Sequence, residues 1–234
     1  MSDVGDSLYA VKKLVFEEKK YTMDQLMDAL EANWQGYEDM RVDFAKCDKF
    51  GNDIEEVDEI TAKIVNHFFT FLKRQRTYRG GVYMGGCSPF NGAASNGRAT
   101  AALPNGRFEH DPIIADAIGA VPGCDTCGPT ALLNATMRYN HKDAGSGFIL
   151  QVKYDKTLFN TKKGKESFIQ MAKTYFEGGG QQYTVNVVSQ EELLDAQKNP
   201  DAHRDLIVRV GGYSDYFVNL EKGLQDNVIR RSTL

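Results

Sequence analysis

Leu8, Val11, Leu14 and Val15 recur at three-to-four spacing and predict an amphipathic helix with one apolar stripe. Thr22-Met23-Asp24-Gln25 has the Thr-x-x-Gln form of a capping box, and Met23, Leu26, Met27 and Leu30 form the predicted buried face of a second helix. A shorter helical segment follows around Tyr37 to Phe44, then a long one carrying Ile54, Val57, Ile60, Ile64, Phe68 and Phe71. Residues 1–79 therefore read as a helical region, a layer that must pack on something else to bury its stripes.

The texture changes at residue 80. Only Gly5, Gly36 and Gly51 precede it, whereas ten of the 49 residues from Gly80 to Gly128 are glycine. Residues 80–128 read as a long Gly-rich loop region, and loops of that length inside a compact domain usually line sites. From Pro129 the pattern is regular again. A helix runs through Leu132, Leu133 and Met137, a strand covers Phe148 to Tyr154, and a helix carrying Phe168, Met171 and Tyr175 stops at Gly178-Gly179-Gly180. Tyr183, Val185 and Val187 alternate with polar residues as in a half-buried strand, Ser189-x-x-Glu192 caps another helix, and Leu206 to Val210 is a second apolar strand. A last helix spans about Lys222 to Arg231. The alternation in residues 129–234 argues for α/β architecture with an incomplete sheet.

Charge and composition narrow the function. Lys plus Arg number 28 against 32 Asp plus Glu, a net charge of −4, so there is no basic field to attract nucleic acid or an anionic membrane. No apolar run approaches the roughly 18 residues of a spanning helix, and Met1-Ser2-Asp3-Val4-Gly5-Asp6 lacks a signal-peptide layout, so the expected location is cytoplasmic. In a reducing compartment Cys47, Cys87, Cys124 and Cys127 stay thiols. Cys124-Asp125-Thr126-Cys127 offers two soft metal ligands, but a structural zinc needs two more and none is in evident spacing, so no metal is expected. The glycine clusters lack the spacing of dinucleotide or phosphate cradles, and no G-x-S-x-G elbow occurs.

The informative segment is Leu206-Ile207-Val208-Arg209-Val210-Gly211-Gly212-Tyr213-Ser214-Asp215-Tyr216-Phe217. By composition alone it is a hairpin, two strands joined by a Gly-Gly turn with the glycines present for positive φ. Arg209-Val210-Gly211-Gly212-Tyr213 followed by Phe217 also resembles the R-V-x-G-Y-x-x-x-F signature of glycyl radical enzymes. The likeness extends along the chain. Gly128-Pro129-Thr130-Ala131 resembles that family's G-P-T-A, and Pro104-Asn105-Gly106-Arg107 resembles its P-D-G-R turn with Asn for Asp. Gly179-Gly180-Gln181, Asn186-Val187-Val188 and Asp195 to Pro200 resemble text before the radical loop, and Asp6-Ser7-Leu8 through Phe16 resembles an internal stretch.

The resemblance implies the C-terminal part of a glycyl-radical-type β/α barrel with an N-terminal helical layer, the radical loop lying at about 206–217. It implies Gly212 as radical carrier, with Arg209, Val210, Gly211, Tyr213 and Phe217 supporting the loop. Hydrogen abstraction from a glycine Cα leaves a radical shared between amide nitrogen and carbonyl, and only a residue without Cβ flattens there freely. The implied partners are a radical S-adenosylmethionine activase, which would own the iron–sulfur cluster, an upstream half or subunit carrying a thiyl cysteine, and a small-molecule substrate. Cys87, in Gly85-Gly86-Cys87-Ser88, looks superficially like a Gly-Cys loop but lies in a different part of the family pattern. The tyrosine- and proline-bearing motifs resemble the dehydratase, decarboxylase and C–N lyase branch more than pyruvate formate-lyase. Three settings remain open: a radical-bearing subunit of a split lyase, a spare part that repairs a damaged full-length enzyme, or a piece of a longer chain. The alternative class is a non-catalytic interaction module in which Gly211-Gly212 is only a turn and Cys124 with Cys127 binds metal.

Overall fold

The structure, a computed structural model, describes residues 1–88, 93–115 and 117–230. Helix α1 (Ser2–Val11) runs on into π-helical turns over Lys12–Glu17. Helix α2 (Met23–Glu31) starts on the expected capping box, with Thr22 Oγ1 accepting the Gln25 N–H at 3.2 Å and Gln25 Oε1 accepting the Thr22 N–H at 2.9 Å. Helix α3 (Glu38–Lys46) and the long α4 (Glu55–Arg74) complete the helical layer. The helices form where their spacing and caps place them, and Leu14, Val15, Leu26 and Val57 are buried as expected, but other positions of the expected faces are not. Leu8, Met23, Met27, Phe68 and Phe71 are exposed, whereas Tyr9, Ala10, Ala29, Val65 and Phe69 enter the core. Three acids are buried with them. Asp6 Oδ1 accepts the Phe50 N–H at 2.8 Å, Asp58 Oδ1 accepts the Gly51 N–H at 3.1 Å, and Asp3 accepts from Asn105 Nδ2 at 3.1 Å and the Ala115 N–H at 2.7 Å. These carboxyl groups close loop backbone that no ladder serves, which is why acidic side chains occupy the interior.

In the described part of the Gly-rich region, side chains bind loop backbone. It contains a short helix the periodicity did not disclose, α5 (Ala93–Arg98). The guanidinium of Arg107 donates to the carbonyls of Gly97 (2.6 Å), Thr100 (3.2 Å), Ala101 (3.0 Å) and Ile113 (3.3 Å), and also to that of Asp111. Asn52 plays the same part for the cysteine loop: its Nδ2 donates to Cys124 O at 2.8 Å, and its Oδ1 accepts the N–H groups of Thr126 at 2.8 Å and Cys127 at 3.0 Å.

Helix α6 (Pro129–Met137) opens the α/β part. Strand β1 (Ile149–Tyr154), helix α7 (Lys162–Glu177) and strand β2 (Gln182–Val187) form a βαβ unit, with β1 and β2 parallel from Ile149 opposite Gln182 to Tyr154 opposite Val187. On the other edge of β1, Cys87 makes a parallel bridge to Phe148: its N–H donates to Gly147 O at 2.8 Å and its carbonyl accepts the Ile149 N–H at 3.0 Å. Helix α8 (Gln190–Lys198), capped by Ser189, leads to a hairpin of β3 (Ile207–Arg209) and β4 (Ser214–Tyr216), then to α9 (Lys222–Arg230). Arg231, the expected last residue of that helix, lies outside the described residues. The architecture is mixed α/β with a parallel strand pair, consistent with the C-terminal fragment of a β/α barrel.

Apolar burial divides into two cores. The larger joins α1 to α4, α6, β1 and the inward side of α7, through Trp34, Phe44, Phe50, Phe69, Phe148 and Tyr175. The smaller gathers Val188, Leu193, Ala196, Val208, Val210, Phe217, Leu220, Val228 and Ile229. The β3–β4 hairpin belongs entirely to the second. Among the described residues no helix is long and apolar enough to cross a membrane.

Candidate functional site

Strand β2 was expected to bury its apolar face. Its most buried positions are instead the polar Thr184 and Asn186, while Val187 is exposed. On β1 their same-face partners are Gln151 and the fully buried Lys153. This polar face is where the hairpin sits. Asn186 grips Arg209 as a strand neighbour would, its Oδ1 accepting the Arg209 N–H at 2.7 Å and its Nδ2 donating to Arg209 O at 2.8 Å. Gln151 Nε2 donates to Val210 O at 2.7 Å, and Lys153 Nζ donates to Ile229 O in the last turn of α9 at 2.9 Å, where a cation suits the helix dipole. Every one of these bonds engages backbone of the C-terminal unit. Sequence reading named Asn186 only as part of a text match and missed Gln151 and Lys153. The available signal was polar residues at alternate positions of two apolar strands.

The hairpin is closed from within. Ser214 pairs with Arg209, and the Tyr213 carbonyl accepts the N–H of Val210 at 3.1 Å and of Gly211 at 3.5 Å. Phe217 extends the pairing by donating its N–H to Leu206 O at 2.7 Å, and its ring is fully buried in the smaller core beside Val210. Gly211 is buried and Gly212 is exposed at the tip. The Arg209 guanidinium folds back along the turn, donating from Nη2 to Gly212 O at 3.1 Å and from Nη1 to Ser214 Oγ at 3.4 Å. The six residues singled out from sequence thus share one hairpin, with Val210 and Phe217 as its apolar root, Tyr213 as its closing carbonyl and Arg209 as its cap. Gly212 is unusual among them. Its φ lies outside the left-handed region, and a Cβ built on it meets no atom within 4 Å. The expectation that the turn uses Gly212 for positive φ is therefore corrected: neither backbone strain nor crowding requires glycine there.

The cysteines do not converge. Cys87 donates its thiol to Ala117 O at 3.1 Å beside β1. Burial, reinforced by nearby Asp6, pushes the Cys124 thiol up to about 12, which leaves it a poor thiolate ligand, and Cys127 is exposed. Among the described residues no three His, Cys, Asp or Glu side chains are arranged to hold a metal ion.

Strands β1 and β2 with helix α7 thus form a parallel βαβ unit whose polar face carries the glycine-tipped hairpin. Residues 1–93 match the family described as pyruvate formate lyase-like, and residues 114–218 match the family described as glycine radical. The chain is 37% identical over 230 residues to a trans-4-hydroxy-L-proline dehydratase of Clostridioides difficile, covering 98% of this chain and 29% of the relative. It is 37% identical over 236 residues to an isethionate sulfite-lyase of Bilophila wadsworthia, covering 99% and 28%. The solved B12-independent glycerol dehydratase of Clostridium butyricum superposes with a TM-score of 0.94 at 34% identity, over 99% of this chain and 29% of that one. The chain belongs to the glycyl radical enzyme family. It spans less than a third of the length of these relatives, whose names make them dehydratases and lyases.

Proposed function

We propose that this chain is the radical-storing part of an anaerobic lyase, with Gly212 as the carrier. The observation that carries the reading is the tip of the hairpin, where glycine stands at a position whose geometry accepts a side chain. The remaining demand for glycine is chemical. When a hydrogen atom is taken from Gly212 Cα, the C–H bond breaks homolytically and one electron stays on Cα, conjugated with the amide nitrogen on one side and the carbonyl on the other. A Cβ would resist the flattening that this conjugation needs. In the return step Cα takes a hydrogen atom from a thiol, the S–H bond breaks, and the odd electron passes to sulfur. That thiol belongs on the part of the enzyme outside this chain, on the same polypeptide or a partner, and the hydrogen-abstracting agent is a radical S-adenosylmethionine activase. Substrate would be a small molecule undergoing dehydration, decarboxylation or another elimination, and the setting cytoplasmic.

The division of cores supports a unit that moves. The hairpin's apolar contacts lie within residues 188–229, and the bonds that seat it on β1 and β2 are polar. Such a seam opens with less loss of buried apolar surface than one through the larger core.

The test is anaerobic electron paramagnetic resonance after treatment with reduced activase and S-adenosylmethionine, with and without an upstream partner, followed by mass spectrometry in air. A glycyl doublet and backbone cleavage at Gly212 are expected. With an activase shown to work on a relative, no doublet and an intact chain would reduce Gly212 to a turn residue and leave an interaction module.

A further inference from the structure

Arg209 reaches the one carbonyl that matters to a radical on Gly212. Its backbone is pinned on both polar groups by Asn186, so its side chain starts from a fixed point. From there Nη2 bonds Gly212 O at 3.1 Å, while Nη1 rests on Ser214 Oγ at 3.4 Å. None of the ion pairs among the described residues takes Arg209, so its charge is not spent on a carboxylate. An arginine is always protonated and presents its donors in a rigid fork, so the bond to this carbonyl is charge-assisted.

We propose that Arg209 tunes the radical electronically: by polarising the Gly212 carbonyl, it draws spin from Cα and makes the stored radical longer-lived. This rests on Gly212 as the carrier. A radical flanked by a donating nitrogen and a withdrawing carbonyl is more delocalised when a cation sits on the carbonyl oxygen. Less spin on Cα means a smaller splitting from the remaining α-hydrogen and slower attack by dioxygen. The effect is electronic and acts on the reacting residue itself, unlike that of Asn186, which holds Arg209 in place without touching Gly212.

The experiment compares the wild-type chain with Arg209→Met, Arg209→Gln and Asn186→Leu, each charged under the same activating conditions. A guanidinium hydrogen bond at a half-exposed site corresponds to a change of about three- to tenfold in the rate of radical loss in air. Arg209→Met should widen the doublet splitting and shorten the lifetime by that factor, with Arg209→Gln between it and wild type. Asn186→Leu keeps the cation and loosens only the backbone that carries it, so its splitting should move from the wild-type value less than that of Arg209→Met, which separates a loosened loop from a depolarised carbonyl. Equal splitting in wild type and both Arg209 variants overturns the proposal. So does failure of both variants to charge while folded by circular dichroism, because Arg209 would then serve recognition. Absence of a doublet in the wild type under conditions that charge a relative defeats the carrier assignment itself, a different outcome from either.

Discussion

The larger core is a continuous aromatic packing, with Phe148 in edge contact with Phe69 at 5.3 Å, Tyr139 at 5.4 Å and His141 at 4.9 Å. The smaller core, which roots the Gly212 hairpin, is aliphatic apart from Phe217; at the hairpin it meets β1 and β2 across polar side chains that bind its backbone, and α9 also lies against α5. One region is built to stay put and the other is fastened to it by a few exchangeable bonds. Breaking each core in turn tests that contrast. Phe148→Ala removes a fully buried ring and should destabilise the whole chain by about 3–5 kcal/mol in denaturant unfolding. Phe217→Ala should mainly accelerate amide hydrogen exchange over residues 206–217, with the exchange of α6 and β1 little changed. A single transition lowered equally by both would mean there is one cooperative unit, not two.

Asp6 in α1 and Asp58 in α4 give the larger body a stability that falls as pH rises. Burial, with Asp3 and Asp58 nearby, raises the Asp6 carboxyl to about 7, and burial raises Asp58 to about 6. Both values lie above the 3.8 of an unfolded aspartate. The folded state therefore holds protons that the unfolded state has released, and this stability is fully present below about pH 4 and is lost as pH rises through 6 and 7. For Asp6 the span corresponds to as much as about 4 kcal/mol. Asp6→Asn keeps an acceptor for the Phe50 N–H and removes the titration, so the variant should be the more stable at pH 8 and show a flatter profile between pH 5 and 8. A variant whose profile still falls as steeply as the wild type would exonerate Asp6.

The polar fastening is the next smaller effect. Asn186→Leu removes both bonds to Arg209, and Gln151→Met removes the bond to Val210. Each should lower the free energy of local opening of residues 206–217 by about 1–3 kcal/mol, read as faster exchange there. The global midpoint should move less. If exchange in the hairpin is unaffected, the smaller core alone seats it.

Local signals were legible and long-range ones were not. The capping box at Thr22, the Ser189 cap and the stop at Gly178 are encoded within four residues, and the helices begin and end on them. Faces were harder, because periodicity presumes that apolar means inward. Met23, Met27, Phe68 and Phe71 defeat that presumption by facing out, and Asp6, Asp58 and Lys153 defeat it by facing in, each bonded to backbone outside its own helix or strand. The site divided the same way. The hairpin and its glycine stand in one short motif, whereas the Asn186 grip joins residues 23 positions apart and depends on a strand pairing that no local pattern records.

The smallest expected change in stability bears hardest on function. At Gly106 the chain needs glycine twice over, with φ at +90° and a Cβ that would come within 2.6 Å of Ala45 Cβ, so Gly106→Ala should cost about 1–3 kcal/mol. At Gly212 neither demand exists. Gly212→Ala should leave the unfolding midpoint within about 0.5 kcal/mol of wild type, or raise it slightly by stiffening the unfolded chain. The same substitution should abolish the glycyl doublet and the cleavage in air. A large loss of stability at Gly212 would make its glycine a structural necessity and remove the argument from geometry. Unchanged stability with a lost radical leaves hydrogen abstraction at Cα as the reason that a glycine stands there.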